Sequence, residues 1–130
     1  MVLVYTEKSH YADVIDSTNW FEILLKEDVI FGRSDPNSDP CGYRTALVSS
    51  LSEQYYQVPG LSQKLLAKDV NYILPKETDL LALLEVNSLD YVFIYRSVAV
   101  QHDLKFVVLP PQINLEDPKF TDFYKTASVK

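Results

Sequence analysis

The 130-residue sequence has one cysteine, Cys41, and only three glycines. A lone cysteine excludes an internal disulfide and a metal cluster of the Cys/His type, and it is compatible with an oxidising or a reducing compartment. There is no glycine-rich phosphate loop and no nucleophile with a neighbouring histidine. Long hydrophobic runs are missing too. Apolar stretches such as Tyr91–Tyr95 and Phe106–Leu109 have the length of strands and fall far short of the roughly 20 residues that cross a bilayer. Basic residues are few and scattered: 12 Lys and Arg stand against 18 Asp and Glu, for a net charge of −6. That balance argues against a nucleic-acid partner, whose binding is dominated by cation contacts to phosphate. The opening run Val2-Leu3-Val4-Tyr5 has neither a basic n-region nor a small-residue cleavage site, so it reads as a strand and not as a secretory signal.

What remains is 47% apolar content in a chain of one-domain length. A single domain over residues 1–130 with one core is expected. Periodicity predicts a strand at Val2–Thr6, a helix at Asn19–Lys26 capped from Ser17 to Asn19, and a strand at Val29–Gly32. The main helix is predicted from about Pro40 to Gln57, with Tyr43, Leu47, Leu51 and Tyr55 as its core stripe and Pro59-Gly60 ending it. A short helix at Leu61–Lys68 and a strand at Asn71–Leu74 follow. Next come a helix at about Thr78–Val86 and the continuously apolar strand Tyr91–Tyr95. One helical turn at Ser97–His102, a strand at Lys105–Leu109 and a final helix at Pro118–Tyr124 complete the reading. A strand that is apolar throughout is buried on both faces, which points to the centre of a mostly parallel sheet covered by helices. The fold class is α/β.

The most informative segment is Phe31-Gly-Arg-Ser-Asp-Pro-Asn-Ser-Asp-Pro-Cys-Gly-Tyr-Arg44, which ends a strand, turns, and opens a helix on Asp-Pro-Cys-Gly. Asp39 is a favoured N-cap, Pro40 fits the first helical position, and Gly42 permits close approach to the first-turn backbone. The N–H groups and positive dipole end of such a helix make an anion pocket. In open α/β sheets ligands bind beyond the carboxyl ends of the strands. Three places meet that description: Asp39–Gly42, Glu77–Asp79 and Tyr95–Ser97.

This segment resembles the signature of the tungstate/molybdate-binding proteins of ABC transporters, an archaeal-type branch of the periplasmic oxyanion receptors. Asn19–Leu24, Glu77–Glu85, Asp90–His102 and Leu109–Leu115 are similar to that family in the same order, so the resemblance covers essentially the whole chain. It implies a three-layer αβα lobe of the type II periplasmic-binding-protein fold, located in the periplasm or on the extracellular face of the membrane. It also implies that the chain is the second lobe alone of a two-lobed receptor, whose partners are a small oxyanion, the absent first lobe and a membrane permease. Self-association through the exposed inter-lobe face is a further expectation. No cofactor is expected, and the ligand is tungstate or molybdate.

By the same resemblance, Asp39 and Glu77 approach the tungsten or molybdenum centre, a hard, electropositive atom that prefers oxygen donors. N–H groups around Cys41 and Gly42 and the hydroxyl of Tyr95 serve the oxo atoms. On the residues alone, Asp39 reads equally as a simple N-cap, Glu77 as a solvated first-turn acid, Tyr95 as a strand-end core residue and Cys41 as a small residue tolerated at a helix start. Arg44 and Arg96 read first as structural partners of Asp35, Asp79 or Asp90, and His10 and His102 as surface residues. Two other functions stay open: an enzyme or divalent-cation domain using Asp39 and Glu77, and a stand-alone oxyanion sensor or degenerate lobe.

Overall fold

A computed structural model of the chain describes residues 1–35, 40–110 and 113, with residues 40–43 and 77 described by their backbone alone. Five strands, β1 (Val2–Tyr5), β2 (Phe31–Ser34), β3 (Ile73–Leu74), β4 (Tyr91–Ile94) and β5 (Lys105–Val108), alternate with five helices. The helices are α1 (Trp20–Leu24), α2 (Pro40–Tyr56), α3 (Leu61–Ala67), α4 (Glu77–Glu85) and α5 (Arg96–Gln101). The sheet order is β3-β2-β4-β1-β5. β2 pairs in parallel with β3 and β4, whereas β1 lies antiparallel between β4 and β5. Four strands therefore point one way, and β1 alone runs against them.

The run Tyr91–Ile94 is buried on both faces and takes the central position, as its unbroken apolar character predicts. On one face Leu3, Phe31, Tyr91, Phe93 and Val107 pack under α1, α2 and α3 through Trp20, Ile23, Val48, Leu51, Leu61 and Leu65. On the other, Val2, Val4, Val92 and Ile94 meet Leu80, Leu81 and Leu84 of α4 and Ala99 of α5. Helices on both faces of one sheet make the expected three-layer αβα arrangement.

Three expectations need correction. β2 begins at Phe31 and continues to Ser34, two residues beyond the apolar run, because Arg33 and Ser34 are buried there despite being polar. Of the expected stripe on α2, Leu51 is fully buried, but Tyr55 is 39% exposed. The buried residues of α2 are Thr45, Ala46, Val48, Ser49, Leu51 and Ser52, Leu47 is half-buried, and the side chain of Tyr43 lies outside the described residues. The hydroxyls of Ser49 and Ser52 donate to the carbonyls of Thr45 at 3.2 Å and Val48 at 2.7 Å, so these polar residues enter the core satisfied. The N-cap of α1 is Asn19, inside the expected span, without a side-chain capping bond, and the turn before it is closed by Asp16, whose Oδ1 accepts from the backbone of Thr18 and Asn19 and from the Thr18 hydroxyl. Those bonds hold the Asp16 carboxyl below its usual range. Finally, His10 is no unpartnered surface residue. Its Nδ1 lies 2.9 Å from Asp90 Oδ1, and Asp90, offered above to Arg44 or Arg96, is engaged there instead. The helix expected at Pro118–Tyr124 lies outside the described residues.

Gly32 sets how closely α4 approaches the sheet. A Cβ at this position would stand 2.7 Å from Leu80 Cδ2 and 2.8 Å from Leu89 Cδ1, both in buried side chains. Gly32→Ala should therefore overpack this layer, lowering stability by roughly 1–2 kcal/mol in urea unfolding after allowing for the entropy lost from the unfolded chain. An unchanged midpoint would mean that α4 sits further out.

A second expectation concerns pH. The Asp90 carboxylate, as hydrogen-bond partner and as charge, raises the His10 imidazole above its ordinary value of 6.5. Protonated His10 then stabilises the fold fully below the unfolded-state value, and that contribution is lost as pH rises through the folded-state value. Unfolding followed from about pH 6 to about pH 8 should show a modest decline in stability that His10→Asn removes.

Candidate functional site

Three helices begin at the carboxyl edge of adjacent strands. β2 leads into α2, β3 into α4 and β4 into α5. Ser34 is level with Leu74 across the β2–β3 pair, and Gly32 with Val92 across β2–β4. Two residues further on, the ends of β2 and β4 are therefore level as well. With neighbouring strands about 4.8 Å apart, the three helix starts lie within roughly 10 Å along one edge. Right-handed crossovers between parallel strands require this alignment, since every helix in such a unit must start where a strand ends.

The helix starts fall where the sequence placed them. α2 opens at Pro40, so Cys41 and Gly42 occupy its first turn. Asp39 lies outside the described residues. α4 opens on Glu77, after an extended Lys76 whose side chain makes no capping bond. Tyr95 occupies the N-cap position of α5, its carbonyl accepting from Val98 at 3.1 Å and Ala99 at 3.2 Å, and its half-buried side chain packs against the aromatic face of the core. Arg44, Arg96 and Asp79 are exposed. Backbone positions 41, 42, 77 and 95 thus come to one edge, as expected from the sequence.

The sequence reading passed over the last two residues of β2. Arg33 is 6% exposed, and its Nη2 donates to Leu66 O near the C-terminus of α3 at 3.1 Å. A cation there suits the negative end of that helix. Burial pulls the Arg33 guanidinium below its ordinary pKa, against the opposing influence of Asp35. Ser34 is fully buried. Arg33 Nε and Ser34 Oγ are the two buried side-chain atoms among the described residues that lack a hydrogen-bond partner, and they belong to consecutive residues at the end of β2, one on each face of the sheet. Folded proteins rarely leave such atoms unmet. The signal was present in the sequence as two polar residues directly after Phe31-Gly32, in a strand that needs apolar ones.

The opposite edge of the sheet is different. Two shallow surface depressions of about 250 and 200 Å³ lie there, lined by Thr6, Glu7 and Lys8 with Glu85 or Lys105 among others. They lie at the amino ends of β4 and β5, away from the helix starts. Among the described residues no group of three or more His, Cys, Asp or Glu could hold a metal ion, and no helix is long and apolar enough to cross a membrane.

Residues 1–128 match the family described as bacterial extracellular solute-binding protein. The chain belongs to this solute-binding protein family. Its relatives include an uncharacterized solute-binding protein of Petrotoga mobilis, 57% identical over 98% of this chain and 40% of the relative. The molybdate/tungstate-binding protein WtpA of Pyrococcus abyssi is 44% identical over 99% of this chain and 44% of its own length. WtpA of Thermococcus kodakarensis is 43% identical over 95% and 41%. The chain thus spans less than half the length of the curated relatives it matches. The relatives named here are solute-binding proteins, and in open α/β sheets generally ligands bind beyond the carboxyl ends of the strands.

Proposed function

We propose that this chain is the second lobe of a two-lobed, type II receptor that binds tungstate or molybdate outside the membrane and delivers it to an ABC transporter permease. The observation that carries this reading is the convergence of α2, α4 and α5 on one edge, at the positions where the sequence carries Asp39, Glu77 and Tyr95. The identity of the whole chain to two molybdate/tungstate-binding relatives supports the choice of ligand.

In this reading, the carboxylates of Asp39 and Glu77 ligate the metal centre, and first-turn N–H groups at Cys41 and Gly42, with the Tyr95 hydroxyl, donate to its oxo atoms. Seating each acid at a helix N-terminus offsets the repulsion between carboxylate and dianion by about 0.3–2 kcal/mol per site. The first lobe completes the shell from the other side, and the face it covers would favour self-association when left open. Sulfate, whose small centre cannot accept further ligands, is discriminated against by this design.

Isothermal titration with tungstate, run in parallel with sulfate and on Asp39→Ala, tests the reading. Tungstate heat without sulfate heat is expected, with affinity falling by tenfold or more in the variant, the order of one interaction with a charged group. Equal response to sulfate, or binding indifferent to Asp39→Ala, would remove the metal-ligation design. If the chain alone takes up no tungstate at millimolar concentration, the same titration on a longer form carrying the preceding lobe decides.

A further inference from the structure

We propose that Ser34 is a further donor to the bound oxyanion, reaching it from beneath the first turn of α4. This deepens the receptor reading and rests on it. Side chains alternate along β2. Phe31 enters the core under α1 to α3, and Arg33 reaches Leu66 of α3 on that same face. Gly32 and Ser34 therefore face α4, as the closeness of Leu80 to Gly32 confirms for the first of them. Ser34 lies two residues, about 6.6 Å, nearer the carboxyl edge than Gly32. Glu77 lies three residues, about 4.5 Å of helix rise, nearer that edge than Leu80. The two displacements run in the same direction and bring the Ser34 side chain beside the start of α4, where the N-cap residue Lys76 makes no side-chain capping bond.

The state of the hydroxyl points to a ligand. Ser34 is 0% exposed and its Oγ has no partner. Other buried serines are satisfied: Ser9 donates to Asp90 O at 2.6 Å, Ser49 to Thr45 O and Ser52 to Val48 O. At the same level Asp35 N donates to Leu74 O across the β2–β3 pair, and the Ser34 hydroxyl takes no part in it. A buried donor with no protein partner is a standing free-energy deficit that an arriving anion repays. The position is specific, because an acceptor must lodge against the junction of β2 and α4 to meet it. An oxyanion held by the N-termini of α2 and α4 would bring an oxo atom there.

The test is tungstate titration of wild type, Ser34→Ala, Asp39→Ala and Ser52→Ala, each with a thermal midpoint measured without ligand. Ser34→Ala should weaken tungstate binding by about tenfold or more, the worth of one hydrogen bond to a charged acceptor, without lowering the ligand-free midpoint. Ser52→Ala, which loses a satisfied bond far from the edge, should lower the midpoint and leave the affinity alone. If Ser34→Ala binds like wild type while Asp39→Ala does not, the Ser34 proposal fails and the receptor reading stands. A Ser34→Ala midpoint lowered as much as that of Ser52→Ala would show the hydroxyl to be partnered and would likewise overturn the proposal. Absence of tungstate uptake by wild type, alone and joined to the preceding lobe, would overturn both.

Discussion

Asp90 N donates to Ile30 O at 2.8 Å, and its carboxylate accepts from Ile30 N at 3.0 Å and from the backbone and ring of His10. Its carbonyl takes the Ser9 hydroxyl at 2.6 Å. One residue thus ties the entrance of β4 to the entrance of β2 and to the segment that leaves β1. Side chains alternate along a strand, so a slip of one residue in any of these pairings would turn Val2, Val4, Val92 and Ile94 onto the wrong face. The two helical layers read register from β4, which is central and hydrogen-bonded on both sides. The level of Ser34 with Leu74, and of β2 with the end of β4, is therefore set from the far end of the sheet. The helix starts inherit that level.

The elements that were legible in the sequence have local causes. Tyr91–Ile94 is apolar throughout, Pro40 cannot sit inside a helix and can begin one, and the β3–α4–β4 unit carries its own turn at Asn87-Ser88. What was not legible depends on residues far apart in the chain. His10 and Asp90 are eighty positions apart, and nothing near either one announces the other. The reversed direction of β1 follows from pairing with β4 and β5, and the strand's own four residues carry no mark of it. Polar residues in the core misled the apolar count twice. Ser49 and Ser52 are buried because their hydroxyls bond back to the helix that carries them, and Arg33 is buried because a helix end receives it.

The candidate site divides along the same line. Where each helix begins is local information, and the starts of α2, α4 and α5 fall within a residue of where caps and strand ends put them. That the three starts share an edge follows from strand order, which periodicity suggests and pairing fixes. The Asp39 and Glu77 carboxylates enter through family resemblance, because a first-turn acid looks the same in a sequence whether it caps, solvates or ligates. Ser34 and Arg33 escaped for a different reason. Their significance lies in one buried polar atom each, Arg33 Nε and Ser34 Oγ, that lacks a partner, which only the packed structure reveals.

A net charge of −6 does not oppose the proposed anion binding once the distances are considered. Exposed acids are screened over about 8–10 Å at physiological salt, whereas donors buried at the edge act at contact and without screening. The first turns of α2 and α4 supply N–H groups whose direction is fixed by the backbone, so no side-chain entropy is lost in aiming them. Arg33 adds a cation held by Leu66 O in a place that solvent barely reaches, one residue from Ser34. On the proposed reading, the local field at the edge is positive although the molecule is negative. The general acidity then has a separate effect, disfavouring anions anywhere on the surface except where fixed donors converge.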